Sequence, residues 1–512
     1  MNNLLTRIGP FTPAQATLIL IGVTFILRAV GAAVIGWGTG EAYYLASARE
    51  LHLSYFDQPP VSLWVIWATM QLTGSENVLV IRLPFIAMFA VSSWLIFMIG
   101  RRTHSDLAGF YAVLIVNACV LFSLSIGSWT QPDAPMILFW LATVWVLVEL
   151  FFHNGGRRPY LYWSIAGLLL GLTFLSKYHA IFLVAGTGLF LLFNSINRRW
   201  LFHRAPWLAL AIALIVFSPV LIWNAQNDWA SFNFQGGRAL GESGLRWDGL
   251  LRMIWGQLLY MVPWLAIPAL YIGARALAAG PRGQYPTGSV SGAAAFFSYV
   301  GWPPIVFFTL VALWSDTEFH FHWQAPGYMM LFILLGAWAA QKNSRAIRIW
   351  LWTTAAVTLT ILTLLVSHAA TGWARAVFPG DWEDPTALQL PWTELGEALE
   401  AREAFDQPET FIMGVNWIDC GYIDTQVAGR APLACIGTDV RNLEYNFIPE
   451  DHLGWNAYVI AQTGDADRVA DQLTEMFGNV EYLESIAIER NGVIELDGIE
   501  LFFATAFALD RP

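Results

Sequence analysis

Three short stretches of the chain pair an acid with prolines or aromatic rings: GEAYY at 40–44, YFDQPP at 55–60 and TQPDAP at 130–135. They supply Glu41, Asp57 and Asp133 as candidate catalytic groups, because a fixed carboxylate can take or steer a proton. Prolines set the chain direction, so the PP pair and the two prolines around Asp133 put these acids at rigid corners. Further on, LSKYHA holds Lys177 beside Tyr178, and HFHWQAPGY holds His320, His322 and Trp323. Lys177, Arg82 and Arg246 are cations suited to phosphate. Tyr55, Tyr178 and Trp323 offer faces to a sugar or an interfacial lipid. The combined chemistry is activation of an acceptor beside an anionic leaving group. A metal signal is weak: His320 and His322 stand two apart, and Asp57 and Glu41 are the acids a divalent cation would bridge. No cofactor is required by any motif, and no nucleic-acid partner is expected.

Long apolar segments must position these groups. The chain has 512 residues, of which 56% are hydrophobic and only 13% charged, about half the charge of a soluble domain. That composition excludes a large soluble protein and points to a bilayer. Eleven apolar runs stand out, near 16–36, 78–99, 107–127, 135–152, 161–176, 179–195, 207–225, 251–273, 295–314, 325–341 and 349–367. The expected fold is an α-helical polytopic membrane protein of about 11 spans. The first run reads as a retained signal anchor, with no small-residue cleavage site after it.

Basic residues orient the spans. Arg7, Arg101, Arg102, Arg157, Arg158, Arg198, Arg199, Arg204, Arg275, Arg282, Lys342, Arg345 and Arg348 fall on one side, which the positive-inside rule makes cytoplasmic. The N-terminus is then cytoplasmic, and the acid-bearing loops 37–77, 127–135, 226–250 and 314–326 face outward. Several cations escape that rule. Arg28 lies inside the first span, while Arg82, Lys177, Arg238, Arg246 and Arg252 belong to the outer half. Charges at membrane depth cost about 2.5–3.5 kcal/mol each, so they face a cavity or a partner.

The charge balance divides the chain. Residues 1–367 carry 20 Lys and Arg against 12 Asp and Glu, a net of +8, whereas residues 368–512 carry 7 against 26, a net of −19. The expected domains are therefore a membrane domain, 1–367, and an acidic extracytoplasmic α/β domain, 368–512. In the tail FIMGVNWI, APLACIG, AYVIAQ, VEYLESIAI and ELFFATAFAL read as strands, and DADRVADQLTEMFG reads as an amphipathic helix capped by Gly478. Cys420 and Cys435 form a disulfide or remain buried thiols, and Cys119 is a packing residue within a span.

Read in order over residues 15–370, GEAYY, YFDQPP, TQPDAP, LSKYHA, SPVLIWNAQNDWASFNFQ and HFHWQAPGY resemble the signature segments of GT-C integral-membrane glycosyltransferases. The likeness is to the protein O-mannosyltransferase superfamily, in its bacterial branch related to the lipid A aminoarabinose transferase. This resemblance implies an inner-membrane enzyme taking a sugar from a polyprenyl-phosphate donor such as undecaprenyl phosphate. Transfer would go, with inversion, to a periplasmic envelope lipid or glycan of lipid A type, or alternatively to a protein hydroxyl. A lipid-linked-sugar flippase or a binding pseudo-enzyme is the reading from another class. By resemblance Asp57 and Glu41 are the first-loop carboxylates, Lys177 binds the lipid phosphate, and Asp133 is structural or positions the acceptor. Arg246, His320 and His322 would contact phosphate or sugar. The sequence departs from the family at Gly40, where relatives carry the aspartate expected as base.

Overall fold

The computed structural model describes residues 7–153, 155–240, 244–315, 321–378, 384–463 and 466–508. It divides into two compact units, one made of residues 1–30, 53–62 and 83–362 and the other of 31–52, 63–82 and 363–512. The expected boundary at 367 lies close to the last of these cuts. However, the second unit also takes in two segments from the first hundred residues.

Most of the chain is helical. The helices before the tail are α1 (Pro13–Val34), α2 (Thr39–Ser47), α3 (Val61–Thr73), α4 (Val78–Thr103), α5 (Asp106–Asn117), α6 (Asp133–Phe152), α7 (Pro159–Ser176) and α8 (Ala180–Phe193). They continue as α9 (Arg204–Gln226), α10 (Ala230–Leu240), α11 (Trp247–Tyr260), α12 (Pro263–Ala279), α13 (Ala293–Val311), α14 (Ala325–Lys342) and α15 (Arg345–Thr371). Each apolar run overlaps at least one helix, although the run 107–127 is divided between α5 and a π-helical turn, Phe122–Ile126, and not every helix is long enough to span by itself. Among the described residues seven helices, α1, α4, α6, α7, α9, α13 and α15, are long and apolar enough to cross a membrane, and the pair α11–α12 makes an eighth if it counts as one span. That pair bends by 106°, so the run 251–273 is not a straight span. Helices α5 and α8 are too short to cross alone.

Apolar side chains of α1, among them Leu18, Val23, Ile26 and Val30, point outward, as lipid-facing residues do. Inside the first unit, helices approach through small residues. A Cβ on Gly167 of α7 would lie 2.3 Å from the Ala209 carbonyl oxygen of α9, and one on Gly336 of α14 would lie 2.6 Å from the Ala112 nitrogen of α5. This is a multi-span membrane protein.

The stretch 37–77, read as one long loop, holds α2 and α3. In the second unit a five-stranded mixed sheet comprises β1 (Thr410–Gly414), β2 (Leu433–Cys435), β3 (Asn456–Gln462), β4 (Phe477–Arg490) and β5 (Val493–Phe507), in the order β2-β1-β3-β5-β4. Strand β1 runs parallel to β2 and β3, and β5 pairs antiparallel with β3 and β4. The tail helices are α16 (Ala374–Val377), α17 (Thr393–Glu400), α18 (Trp417–Val427) and α19 (Ala466–Leu473). Gly478 does not cap α19, because the chain is already in β4 there. Cys420 and Cys435 are disulfide-bonded, with their Cα atoms 6.0 Å apart. Helix α18 packs on α2 so closely that a Cβ on Gly421 would lie 2.7 Å from the Tyr43 nitrogen.

Candidate active site

In the first unit the chemistry gathers around Asp133. Pro132 precedes α6, and Asp133 is its first residue, where a carboxylate is favoured by the unpaired N–H groups of the helix start. Its Oδ2 accepts a hydrogen bond from Lys177 Nζ at 2.8 Å and lies 3.7 Å from His322 Nε2. Both partners are almost sealed from solvent, at 6% exposure for Lys177 and 1% for Asp133. Asp133 Oδ1 is buried and finds no hydrogen-bond partner among the described residues.

Lys177 follows the last residue of α7 in extended backbone geometry, a helix end that favours a cation. Burial draws its ammonium below the ordinary lysine value, against the opposing pull of Asp133. The break before α8 leaves Tyr178 and His179 beside it. The Tyr178 hydroxyl and Ser231 Oγ are 2.7 Å apart, and burial pushes Tyr178 up to about 12. The His179 ring stacks on Phe308 at 4.9 Å and meets Trp323 at 6.1 Å.

Asp57 enters from the loop before α3. Its neighbour Tyr55 is fully buried, and Asp57 itself is 5% exposed. The Asp57 carbonyl accepts a hydrogen bond from Gln235 Nε2 at 2.6 Å, and the Phe56 ring lies 4.8 Å from Phe234. The Asp57 carboxylate is also within electrostatic reach of Tyr178. Helix α10 is thus tied to the Asp57 loop, and its Arg238 lies over both Phe234 (5.4 Å) and Trp323 (5.0 Å). Arg238 also acts electrostatically on Lys177. Asp57, Asp133, Lys177, Tyr178, His322 and Trp323 therefore form one cluster.

Sequence reasoning placed Arg238 in the outer half but not among the site residues. The signal is the spacing of Ser231, Phe234, Gln235 and Arg238, which puts four chemically able side chains on one face of α10. Arg246 behaves otherwise than expected. It precedes α11, a third exposed, with Nη2 3.3 Å from Asp248. His320 lies outside the described residues. His322 sits in a short 3₁₀ turn, Phe321–Gln324.

Glu41 and Arg82 belong to the second unit and take a different role from the one expected. Glu41 lies in the first turn of α2, and its Oε2 accepts from the Gly38 N–H at 3.1 Å. Arg82 Nε and Nη2 donate to the two Glu41 oxygens. Arg82 Nη1 donates to the carbonyls of Ala32 (3.1 Å) and Ile35 (2.8 Å), and Nη2 also to that of Gly36 (2.6 Å). Those five bonds use all five N–H groups of the guanidinium, and the side chain is 1% exposed. Arg82 therefore closes the end of α1 instead of offering itself to phosphate. A Cβ on Gly40 would meet nothing within 4 Å. Among the described residues no three His, Cys, Asp or Glu side chains converge as metal ligands.

The helical membrane segments and the mixed sheet of the tail together make an ArnT-like GT-C fold. Structurally, the chain is similar to ArnT from Cupriavidus metallidurans in the apo state, with a TM-score of 0.60 at 16% identity over 98% of this chain and 99% of that one. The same ArnT bound to undecaprenyl phosphate gives a TM-score of 0.58 at 15% identity, over 97% and 98% of the two chains. Residues 57–223 match the family described as dolichyl-phosphate-mannose-protein mannosyltransferase. Lipid A galacturonosyltransferase RgtD of Rhizobium johnstonii is 30% identical over 190 residues, which are 37% of this chain and 38% of that protein. The undecaprenyl phosphate-alpha-4-amino-4-deoxy-L-arabinose arabinosyl transferase of Pseudomonas paraeruginosa is 28% identical over 132 residues, 26% of this chain and 24% of that one. The matched stretches thus span well under half of these curated relatives.

Proposed function

We propose that this protein transfers a sugar from a polyprenyl-phosphate-linked donor to a lipid A-type acceptor of the bacterial envelope. The observation that carries the reading is the buried Asp133–Lys177 centre with Asp57 in the same cluster, all within the matched stretch 57–223. The fold shared with ArnT and the partial likeness to two lipid A glycosyltransferases support it. The reaction faces the periplasm of the inner membrane, the N-terminus is cytoplasmic and the tail domain is periplasmic, as the basic residues of the opposite loops suggest.

In this reading the acceptor oxygen attacks the anomeric carbon from the face opposite the lipid phosphate. The carbon–oxygen bond to phosphate breaks, and its electron pair leaves with the polyprenyl phosphate. Asp57 takes the acceptor proton or, with an ionised phosphate acceptor, orients it. Lys177 counters the growing charge on the leaving phosphate, worth several kcal/mol in a dry site. Asp133 holds that ammonium in place, and Tyr178, His322 and Trp323 line the sugar. A divalent cation is compatible with this scheme and no step depends on one. The family match favours a second reading, in which a protein hydroxyl is the acceptor.

Mass spectrometry of envelope lipids and glycoproteins from cells with and without the gene separates these readings. A sugar increment on lipid A that disappears in the deletion strain, and returns with wild type but not with Asp57→Asn, is expected. A glycoprotein increment alone would select the second reading. No change in either fraction while the protein is present and folded would end the transferase proposal.

A further inference from the structure

Four Lys or Arg side chains are buried among the described residues: Arg28, Arg82, Lys177 and Arg490. Three of them meet carboxylates. Arg82 meets Glu41, Lys177 meets Asp133, and Arg490 meets Asp384 and Glu495. Arg28 meets none. Its Nη2 donates to Asn117 Oδ1 at 2.9 Å and to Ser123 Oγ at 3.1 Å, and the guanidinium lies 4.7 Å over the Phe89 ring. Its Nε is buried without an acceptor, and Nη1 makes no hydrogen bond among the described residues. This is an uncompensated cation on α1, 9% exposed, in a helix whose other faces are apolar. Such a charge is costly unless an anion joins it.

The surroundings are neutral and polar. Asn117 Nδ2 reaches the Val113 carbonyl and Ser93 Oγ. Ser123 and Ser125 lie on a single π-helical turn, Phe122–Ile126, a distortion common at functional positions. Ser125 Oγ donates to Gln131 Oε1 at 3.1 Å, two residues before Asp133. A lane of uncharged hydrogen-bonding groups therefore leads from Arg28 to Gln131, just before the start of α6 at Asp133. Gly127 borders it, and a Cβ there would lie 2.7 Å from Arg28 Nε.

We infer that Arg28 is a second anion site, which binds the phosphate of a membrane lipid and is separate from Lys177. A guanidinium fixed by two neutral acceptors and one ring keeps donors for a phosphate oxygen, and its depth in α1 favours an anion delivered on a lipid. The inference does not depend on the transferase reading, because binding is measured without turnover.

The test uses the full-length protein in phosphatidylcholine nanodiscs, titrated separately with undecaprenyl phosphate, phosphatidylglycerol and inorganic phosphate. Binding is followed by native mass spectrometry and thermal shift. Wild type should bind one or both phospholipid probes, and Arg28→Gln should weaken that binding about ten- to a hundred-fold. Arg28→Lys should recover part of it. In neutral discs Arg28→Gln should melt no lower than wild type, since glutamine keeps a donor for Asn117 and removes the unpaired charge. A Lys177→Met variant should retain the Arg28-dependent binding. Which lipid responds identifies the source of the phosphate, and a response to inorganic phosphate alone would overturn the lipid assignment. Equal lipid binding by wild type and Arg28→Gln, or a lower melting point of Arg28→Gln with lipid response intact, would make Arg28 a packing residue and overturn the site.

Discussion

Each unit buries an acid–base pair among the residues that the sequence singles out, Arg82–Glu41 and Lys177–Asp133, and these two pairs are built to different ends. Arg82 and Glu41 form a closed system: all five guanidinium N–H groups find acceptors, and Glu41 also takes the Gly38 N–H. Asp133 and Lys177 share one hydrogen bond, leave Asp133 Oδ1 without a partner among the described residues, and keep His322 at 3.7 Å. Saturated polar networks rigidify a fold, whereas incompletely satisfied ones mark strain, a missing ligand or chemistry. Equal burial therefore does not imply equal function, and the number of unused hydrogen-bonding positions separates the two.

The strongest way to break this comparison is to remove Arg82. Arg82→Met leaves Glu41 buried without its cation and strips donors from the Ala32, Ile35 and Gly36 carbonyls, a loss of about 3–5 kcal/mol. Purified in detergent, the variant should give little monodisperse protein. Adding Glu41→Leu should not restore it, because the three carbonyls stay unsatisfied. A folded Arg82→Met protein with wild-type melting but no transfer would place Arg82 in the reaction and erase the distinction.

The opposite behaviour is expected in the first unit. Lys177→Met with Asp133→Leu removes both charges and leaves no backbone group stranded, so the double variant should fold with a melting point close to wild type. Transfer should fall by about 10²–10³, and Asp57→Asn alone by about 10²–10⁴, both read with an undecaprenyl-phosphate sugar and lipid A. Normal transfer by the folded double variant would remove Lys177 from donor binding. Misfolding would make this pair as structural as Arg82–Glu41.

Apolar run length and strand patterning made most of this legible beforehand, for reasons specific to each element. Each apolar run overlaps a helix and each expected strand segment overlaps a strand, because apolar periodicity and burial are local properties, although FIMGVNWI runs on into α18 and β5 already begins at Val493. The pairing of Glu41 with Arg82 was not legible, since 41 residues separate them and either side chain alone reads as a reactive charge. Helices α2 and α3 were hidden in the segment 37–77, where a nine-residue helix between glycines and prolines leaves little periodic pattern. Gly478 misled because glycine also tolerates the start of a strand. Arg238 carried a readable signal in Ser231, Phe234 and Gln235, seven, four and three residues before it, although only the fold connects them to Lys177.

A smaller effect should follow at Gly40, next to the closed pair. With open space around the position, Gly40→Ala in α2 gains roughly 0.5–1 kcal/mol from reduced backbone freedom, visible as a slightly higher melting point. A marked drop in melting or in transfer would show that Gly40 is needed for something other than conformation, such as room for substrate.

Asp419 sharpens the comparison from a third side, as a buried acid with no cation among its hydrogen-bond partners. Its Oδ2 accepts from Asn416 Nδ2 at 2.8 Å and from the Gln462 N–H at 3.2 Å. Burial outweighs these bonds and raises its pKa from 3.8 to about 6. Between those values the folded protein keeps a proton that the unfolded chain has lost, so stability falls as pH rises through this window. Above it the ionised carboxylate costs up to about 3 kcal/mol. Asp419→Asn retains an oxygen acceptor and removes the charge. The full-length variant should melt higher than wild type at about pH 7.5 and show little advantage at about pH 4, where the folded Asp419 carboxyl is protonated and uncharged. An equal advantage at both pH values would attribute the gain to packing. A variant that melts lower at about pH 7.5 would show that the helix start of α18 favours the ionised acid more strongly than burial opposes it.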